Sequence, residues 1–149
     1  MDITAYKLAQ RFGGTTEVAG QMANPQIMAF LHADAKWPED DAVPWCSGFV
    51  NYVCKLLGVP RSGSLRARSW LEVGVPITLE EAKVGWDVVI FNRGGSPDPT
   101  IIDGPGHVGF YAGTDEHGII ILGGNQSDTV KLSHYPKKDI LGVRRLYDE

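Results

Sequence analysis

The chain is short of cysteine, with only two in 149 residues, too few for the disulfide framework that holds many small secreted domains together. Both lie in "VPWCSGFVNYVCKLLGVP", residues 43 to 60. There Cys46, Phe49, Val50, Val53, Cys54 and Leu57 recur at the helical period and predict one amphipathic helix, ended by Gly58 and Pro60. Eight residues along a helix span about 12 Å, whereas a disulfide needs Cα atoms within about 7 Å, so the two cannot bridge. A basic excess is lacking too. Fourteen Lys and Arg stand against eighteen Asp and Glu, net charge -4, which argues against nucleic acid as a partner. No apolar run is long enough to span a membrane. The start, "MDITAYKLAQRFGG", has no basic segment followed by an apolar core, so no signal peptide is visible, and synthesis in a reducing compartment is expected. Neither Cys-x-x-Cys nor His-Glu-x-x-His spacing occurs, so zinc is not expected.

What is present reads as one globular domain over residues 1–149, 43% hydrophobic. A short first helix covers Ile3 to Phe12. "NPQIMAFLHA" signals a second, with Asn24 as cap and Pro25 in the first turn. An acidic, proline-containing loop, "KWPEDDAVP", leads into the cysteine helix, and Ser64 is placed to cap a further short helix carrying Leu65, Trp70 and Leu71. From Trp86 the period changes. "WDVVIF", "HVGFYAG", "GIIILGG", "TVKLSHY" and "LGVRRLY" are short apolar or β-branched runs separated by turn residues, which predict an antiparallel sheet. Helices first and strands after is the α+β pattern, with the helices on one face of the sheet.

The chemistry concentrates at three positions. Cys46 falls in the first turn of its helix, where unpaired N–H groups and the dipole favour a thiolate; Cys54, two turns on, reads as a small core residue. His107 opens a strand after the long loop 92–106, within reach of a helix packed on the sheet, and supplies the base that a nucleophilic cysteine requires. Asn125, at the end of the next strand, is placed to orient the ring if the two strands are antiparallel neighbours. Trp45, Ser47 and Gln126, beside these positions in the chain, are candidates for substrate binding. His32, His117 and His134 read as turn or surface residues. The Arg61/Arg66/Arg68 and Lys137/Lys138/Arg144/Arg145 groups read as solvated surface.

"PWCSGFVNYV", "GWDVVIF", "GHVGFYAG" and "ILGGNQS" together resemble the papain-like cysteine peptidases of the NlpC and CHAP superfamily, from about residue 24 to 145. The resemblance implies a papain-like α+β fold, with N-terminal helices packed on a five- to six-stranded antiparallel sheet. It places the nucleophile at Cys46, the histidine at His107 and a third polar residue at or near Asn125, with Gln126 next to it. The usual Gly-Asp pair is split here as Gly85-Trp86-Asp87. The implied activity is hydrolysis of peptide amides in bacterial peptidoglycan through a thioester, by a monomer that needs no cofactor. A stem-peptide endopeptidase is favoured over an N-acetylmuramoyl-L-alanine amidase; a non-catalytic wall-binding module and an acyl transferase on the same scaffold are the other readings. A short single domain of this kind resembles a bacteriophage endolysin, or a bacterial lytic effector, made in the host cytoplasm and acting on the wall after release.

Overall fold

The computed structural model describes residues 3–16, 24–32, 45–126 and 129–148. The acidic loop at 36–44, with Trp37 and Pro44, lies outside them. Three helices come first: α1 (Ala5–Gln10), α2 (Pro25–Leu31) and α3 (Cys46–Leu57). As the sequence predicts, Asn24 caps α2 by accepting from the Gln26 N–H at 2.8 Å, with Pro25 in the first turn. Gly58 closes α3 in the left-handed region at φ 68°. Its N–H and that of Val59 take up the last carbonyls, of Lys55 and Cys54. The apolar stripe of α3 is buried from Cys46 through Cys54. Neither cysteine is in a disulfide.

Six strands follow: β1 (Val75–Ile77), β2 (Asp87–Asn92), β3 (Gly106–Asp115), β4 (Gly118–Gln126), β5 (Thr129–Tyr135) and β6 (Ile140–Arg145). They form one sheet in the order β1-β6-β2-β3-β4-β5, every pair antiparallel. The five predicted runs are β2 to β6, and β1 is an added short edge strand. The helices cover one face. Phe12, Phe30, Phe49 and Tyr52 meet there in edge contacts with ring centroids 5.1 to 6.1 Å apart, and Phe49 reaches Phe110 of β3 at 6.1 Å. Each such ring contributes about 2 kcal/mol by leaving water. The opposite face is covered as well, since Ile77, Leu79 and Ala82 pack on Val89, Phe91, Ile121 and Val143. A strand buried on both faces needs a continuous apolar run, which is why β2 reads "VVIF" without alternation.

Two arginines hold the ends of this sheet. Arg145 lies opposite Asp87 in the β2–β6 ladder, and both guanidinium donors reach its carboxylate at 2.9 Å while the Lys83 N–H donates to the same group. The split Gly-Asp position is therefore a structural clamp. Arg68 departs from the sequence reading, because it is fully buried instead of solvated. It sits in a 3-10 helix, Ala67–Glu72, and donates to the carbonyls of Pro105 (2.9 Å), Ile101 (3.1 Å) and Ser96 (2.7 Å) and to Asn92 Oδ1 (2.7 Å). The loop 92–106 is wrapped around that one guanidinium. Ser64 does not cap the 3-10 helix: its Oγ accepts from the Arg66 N–H, closing a turn just before it.

Removing Asp87 leaves Arg145 and the Lys83 amide without their acceptor. We expect Asp87→Ala to lower the unfolding free energy by about 3 kcal/mol, read from urea denaturation, and a loss within experimental error would show that the clamp contributes nothing.

Candidate active site

Cys46 is the first residue of α3, and Trp45 before it provides no side-chain cap. The first N–H groups of a twelve-residue helix are thus free of a capping side chain and available to an anion. The backbone N–H groups of Val108 and Ser47 and the charge of Arg93 all favour the Cys46 thiolate. Burial outweighs them and pushes the thiol above its ordinary range. The helix terminus alone favours the thiolate, but with the side chain only 3% exposed burial decides the direction.

Val108, whose N–H acts on the thiol, follows His107 in β3. The ring of His107 is buried and lies between two partners. Tyr135 stacks on its face at 4.9 Å and 18°, and Tyr135 in turn stacks on Phe91. At its edge, Nε2 is 3.0 Å from Gln126 Oε1. The orientation of that amide is set independently, because Gln126 Nε2 donates to the carbonyls of Ile121 and Lys131. Its oxygen must then face the ring, and the ring must carry its hydrogen on Nε2. Nδ1 is left as the basic nitrogen, and it is buried with no hydrogen-bond partner among the described residues. Burial, reinforced by the charge of Arg93 and opposed by the Gln126 bond, brings the His107 pKa down to about 4. At rest the site holds a neutral thiol and a neutral imidazole.

The ring's partner is therefore Gln126 and not Asn125, and a β-bulge is the reason. In an unbroken strand Ile121, Gly123 and Asn125 would share one face. Between Gly123 and Gln126 the β4–β5 register slips, with Asn125 in the left-handed region at φ 57°. One extra residue reverses the alternation and turns Gln126 toward His107. The run "GGNQ" then reads residue by residue. A side chain at Gly123 would meet Gln126 Oε1 and His107 Nε2 at 3.0 and 3.3 Å, and one at Gly124 would meet the Trp45 ring at 2.6 Å. Asn125 is among the few residue types that accept its backbone conformation.

Two substrate-binding expectations are corrected. Trp45 is fully buried, stacked on Phe30 at 6.0 Å, and belongs to the core, not to a cleft wall. Ser47 is also fully buried; its hydroxyl donates to the Ser64 carbonyl at 2.6 Å and accepts from Trp70 Nε1 at 2.8 Å, tying α3 to the segment before the 3-10 helix. Both point inward because a helix start packed on a sheet exposes little beyond its terminal N–H groups.

Two cavities adjoin the site. One, of about 430 Å³, is lined by Cys46, Leu65, Arg66, Gly104, Pro105 and Asn125 among others. The other, of about 310 Å³, is lined by Phe91, Asn92, His107, Tyr135 and Asp139. Arg93 lines both. Cys46 lines the first cavity and His107 the second. Sequence reasoning marked the loop that carries Arg93 but not the residue, and missed Tyr135, whose only signal is its place at the end of β5.

Two measurements check this geometry. Because the folded pKa of His107 is about 4 against an ordinary 6.5, the unfolded chain binds a proton in that window that the folded chain does not. Stability should fall as pH drops from 6.5 toward 4, by up to about 3 kcal/mol. His107→Gln should flatten that slope, and an unchanged slope would contradict the buried neutral ring. Removal of the ring's partner by Gln126→Ala should slow alkylation of Cys46 by about tenfold or more, while Asn125→Gly, which keeps the left-handed turn, should leave the rate within a factor of about three. The reverse ranking would return the third position to Asn125.

No family model matches the chain, and no curated protein matches it in sequence. Solved structures match it in fold. NlpC1 from Trichomonas vaginalis aligns with a TM-score of 0.59 at 18% identity, over 97% of this chain and 44% of that one. The P60 domain of an antigen from M. avium subspecies paratuberculosis gives 0.58 at 18% identity, over 98% and 94%. The peptidoglycan hydrolase RipB from Mycobacterium tuberculosis gives 0.56 at 17% identity, over 97% and 66%. The chain thus spans less than half the length of the Trichomonas protein and about the whole of the isolated P60 domain. The six-stranded antiparallel sheet with α3 packed against it is the papain-like fold of the NlpC/P60 structures.

Proposed function

We propose that this protein is a cysteine hydrolase of amide bonds in bacterial peptidoglycan, with Cys46 as nucleophile, His107 as base and acid, and Gln126 holding the ring. The observation that carries the reading is the His107–Gln126 bond, which leaves the buried Nδ1 without a partner among the described residues, in a fold that sets Cys46 at the N-terminus of α3. A buried nitrogen without a partner costs stability, and receiving the thiol proton is the role that supports the reading. The peptidoglycan substrate is supported by the likeness of fold to RipB and by the sequence resemblance.

In the proposed reaction the Cys46 sulfur attacks the carbonyl carbon as its proton passes to His107 Nδ1. The carbonyl oxygen, now negative, is met by N–H groups at the start of α3, including that of Cys46. Collapse of the tetrahedral intermediate breaks the C–N bond, and the imidazolium gives its proton to the departing amine. A thioester remains. Water attacks it as His107 Nδ1 takes a proton, and breakdown of the second intermediate releases a carboxylic acid and restores the thiol. Because both groups rest neutral, charge separation accompanies substrate binding instead of preceding it.

Within the wall we favour a stem-peptide bond over the muramoyl–L-alanine amide, and an endolysin-type role, both on the sequence resemblance. Wall digested by the protein should show new free amines and no new reducing sugar, because a thioester mechanism needs an amide carbonyl while glycosidic cleavage calls for paired carboxylates. Dinitrophenyl labelling of a diamino acid or an internal residue supports the endopeptidase, and labelling of N-terminal L-alanine the amidase. Cys46→Ala should abolish release, and Cys54→Ala should mainly cost packing, about 1 kcal/mol. New reducing ends, or equal loss of turnover in both folded variants, would contradict the mechanism.

A further inference from the structure

Tyr135 reaches His107 across the curl of the sheet and not along a ladder. In the β4–β5 pairing it lies opposite Ile119, and Ile119 lies opposite Thr114, far along β3 from His107. At about 3.3 Å per residue, a flat sheet would leave Thr114 and His107 on the order of 20 Å apart. The rings of Tyr135 and His107 are instead 4.9 Å apart and within 18° of parallel. The β3–β4 register shifts between Tyr111 and Gly113, and a bulge there bends the strands and strengthens their twist. The end of β5 is thereby carried over the sheet face that holds Val89 and Phe91, on which Tyr135 packs. Two contacts keep it there: Tyr135 stacks on Phe91 at 4.7 Å and 24°, and the neighbouring His134 bonds Asp115 at 2.8 Å.

Two constraints are needed to aim an imidazole. The bond between Nε2 and Gln126 Oε1 fixes one point on the ring's edge and leaves rotation about the line of that bond. The face contact with Tyr135 removes this freedom by holding the two planes near parallel. Because the Nδ1 lone pair lies in the ring plane, both residues set its direction. The stack also bears on charge. When a proton leaves Cys46 Sγ for His107 Nδ1, a thiolate and an imidazolium replace two neutral groups. Arg93 opposes the imidazolium, and its charge acts on His107 and Tyr135 alike. The other charged residue lining the cavity of His107 and Tyr135, among the described residues, is the half-buried Asp139. An aromatic face attracts a cation within about 6 Å of its centre. Tyr135, neutral with its hydroxyl pushed up to about 12, therefore offsets part of the repulsion from Arg93.

We propose that Tyr135 is a positioning residue for proton transfer from Cys46 to His107, setting the plane of the ring and presenting an aromatic face to the imidazolium that the transfer creates. What the transfer accomplishes rests on the hydrolase reading, but the stack and its effect on Cys46 are measured without turnover.

The test uses the full chain and follows alkylation of Cys46 by iodoacetamide, located by peptide mass, together with proton and nitrogen NMR of the His107 ring. In the wild-type protein the ring current of Tyr135 should shift the His107 ring protons upfield. Tyr135→Leu keeps an apolar side chain and removes the aromatic face. It should release that shift and slow alkylation at pH 7 about tenfold, while the ring keeps its hydrogen on Nε2 because Gln126 is untouched. Tyr135→Phe, which restores the face without the hydroxyl, should rescue the shift and bring the rate to within about threefold of wild type. If urea denaturation shows that Tyr135→Leu does not fold, Tyr135→Met, whose flexible chain fills irregular space, takes its place with the same expectations. Unshifted ring protons in the wild type, an unslowed folded Leu or Met variant, a Phe variant as slow as these, or loss of the Nε2 tautomer along with the stack would each overturn the proposal. Digestion of purified peptidoglycan separates the two claims. If the wild-type protein releases no amines while alkylation follows the variants as expected, the hydrolase reading fails alone; if it releases them and Tyr135→Leu does so at the same rate, the positioning role fails alone.

Discussion

The hydrogen bond between His107 Nε2 and Gln126 Oε1 is the constraint on which the site depends. It is possible only because the strand end that carries Gln126 is bulged at Asn125, and the bulge fits only because Gly123 and Gly124 leave room for the ring, the amide and Trp45. The amide is in turn held by two backbone carbonyls, so its orientation does not depend on the histidine. A chain of fixed groups thus runs from the sheet backbone to a single nitrogen atom, and the tautomer of that atom decides whether a proton can be taken from Cys46.

Burial sets the protonation of the site. It raises the thiol, lowers the imidazole to about 4 and pushes the Tyr135 hydroxyl up to about 12, against the pull of helix N–H groups and Arg93 on the thiol. The result is a thiol and an imidazole that both rest uncharged. Arg68 serves the same end from below: a buried cation satisfied by carbonyls and one amide oxygen keeps the loop 92–106 in a shape that brings Gly104, Pro105 and Arg93 to the cleft wall.

Much of this was legible in the chain. The period of Cys46 to Leu57 gave α3 and its ends, the five β-like runs gave β2 to β6, and the positions of Cys46 and His107 followed from where those elements begin. What escaped was whatever depends on register and burial. A period-two reading of β4 puts Asn125 toward the histidine, and nothing local announces a bulge in a run that also reads as an ordinary turn. Trp45 and Ser47 stand beside the cysteine in sequence but point into the core, since neighbours along a helix face different directions. Arg68 looked like surface because arginine is rarely buried, and only the loop folded over it, distant in sequence, shows otherwise.

The proposed mechanism turns on the protonation of one ring. Nitrogen NMR of His107 in the folded protein, with the Gln126→Ala variant for assignment of the partner, reports directly which nitrogen carries the hydrogen. The structure predicts a neutral ring protonated on Nε2 throughout pH 5 to 8, with its folded pKa near 4, and loss of that fixed tautomer in the variant. A ring protonated on Nδ1, or one whose tautomer ignores the removal of Gln126, would contradict the arrangement from which the function is derived.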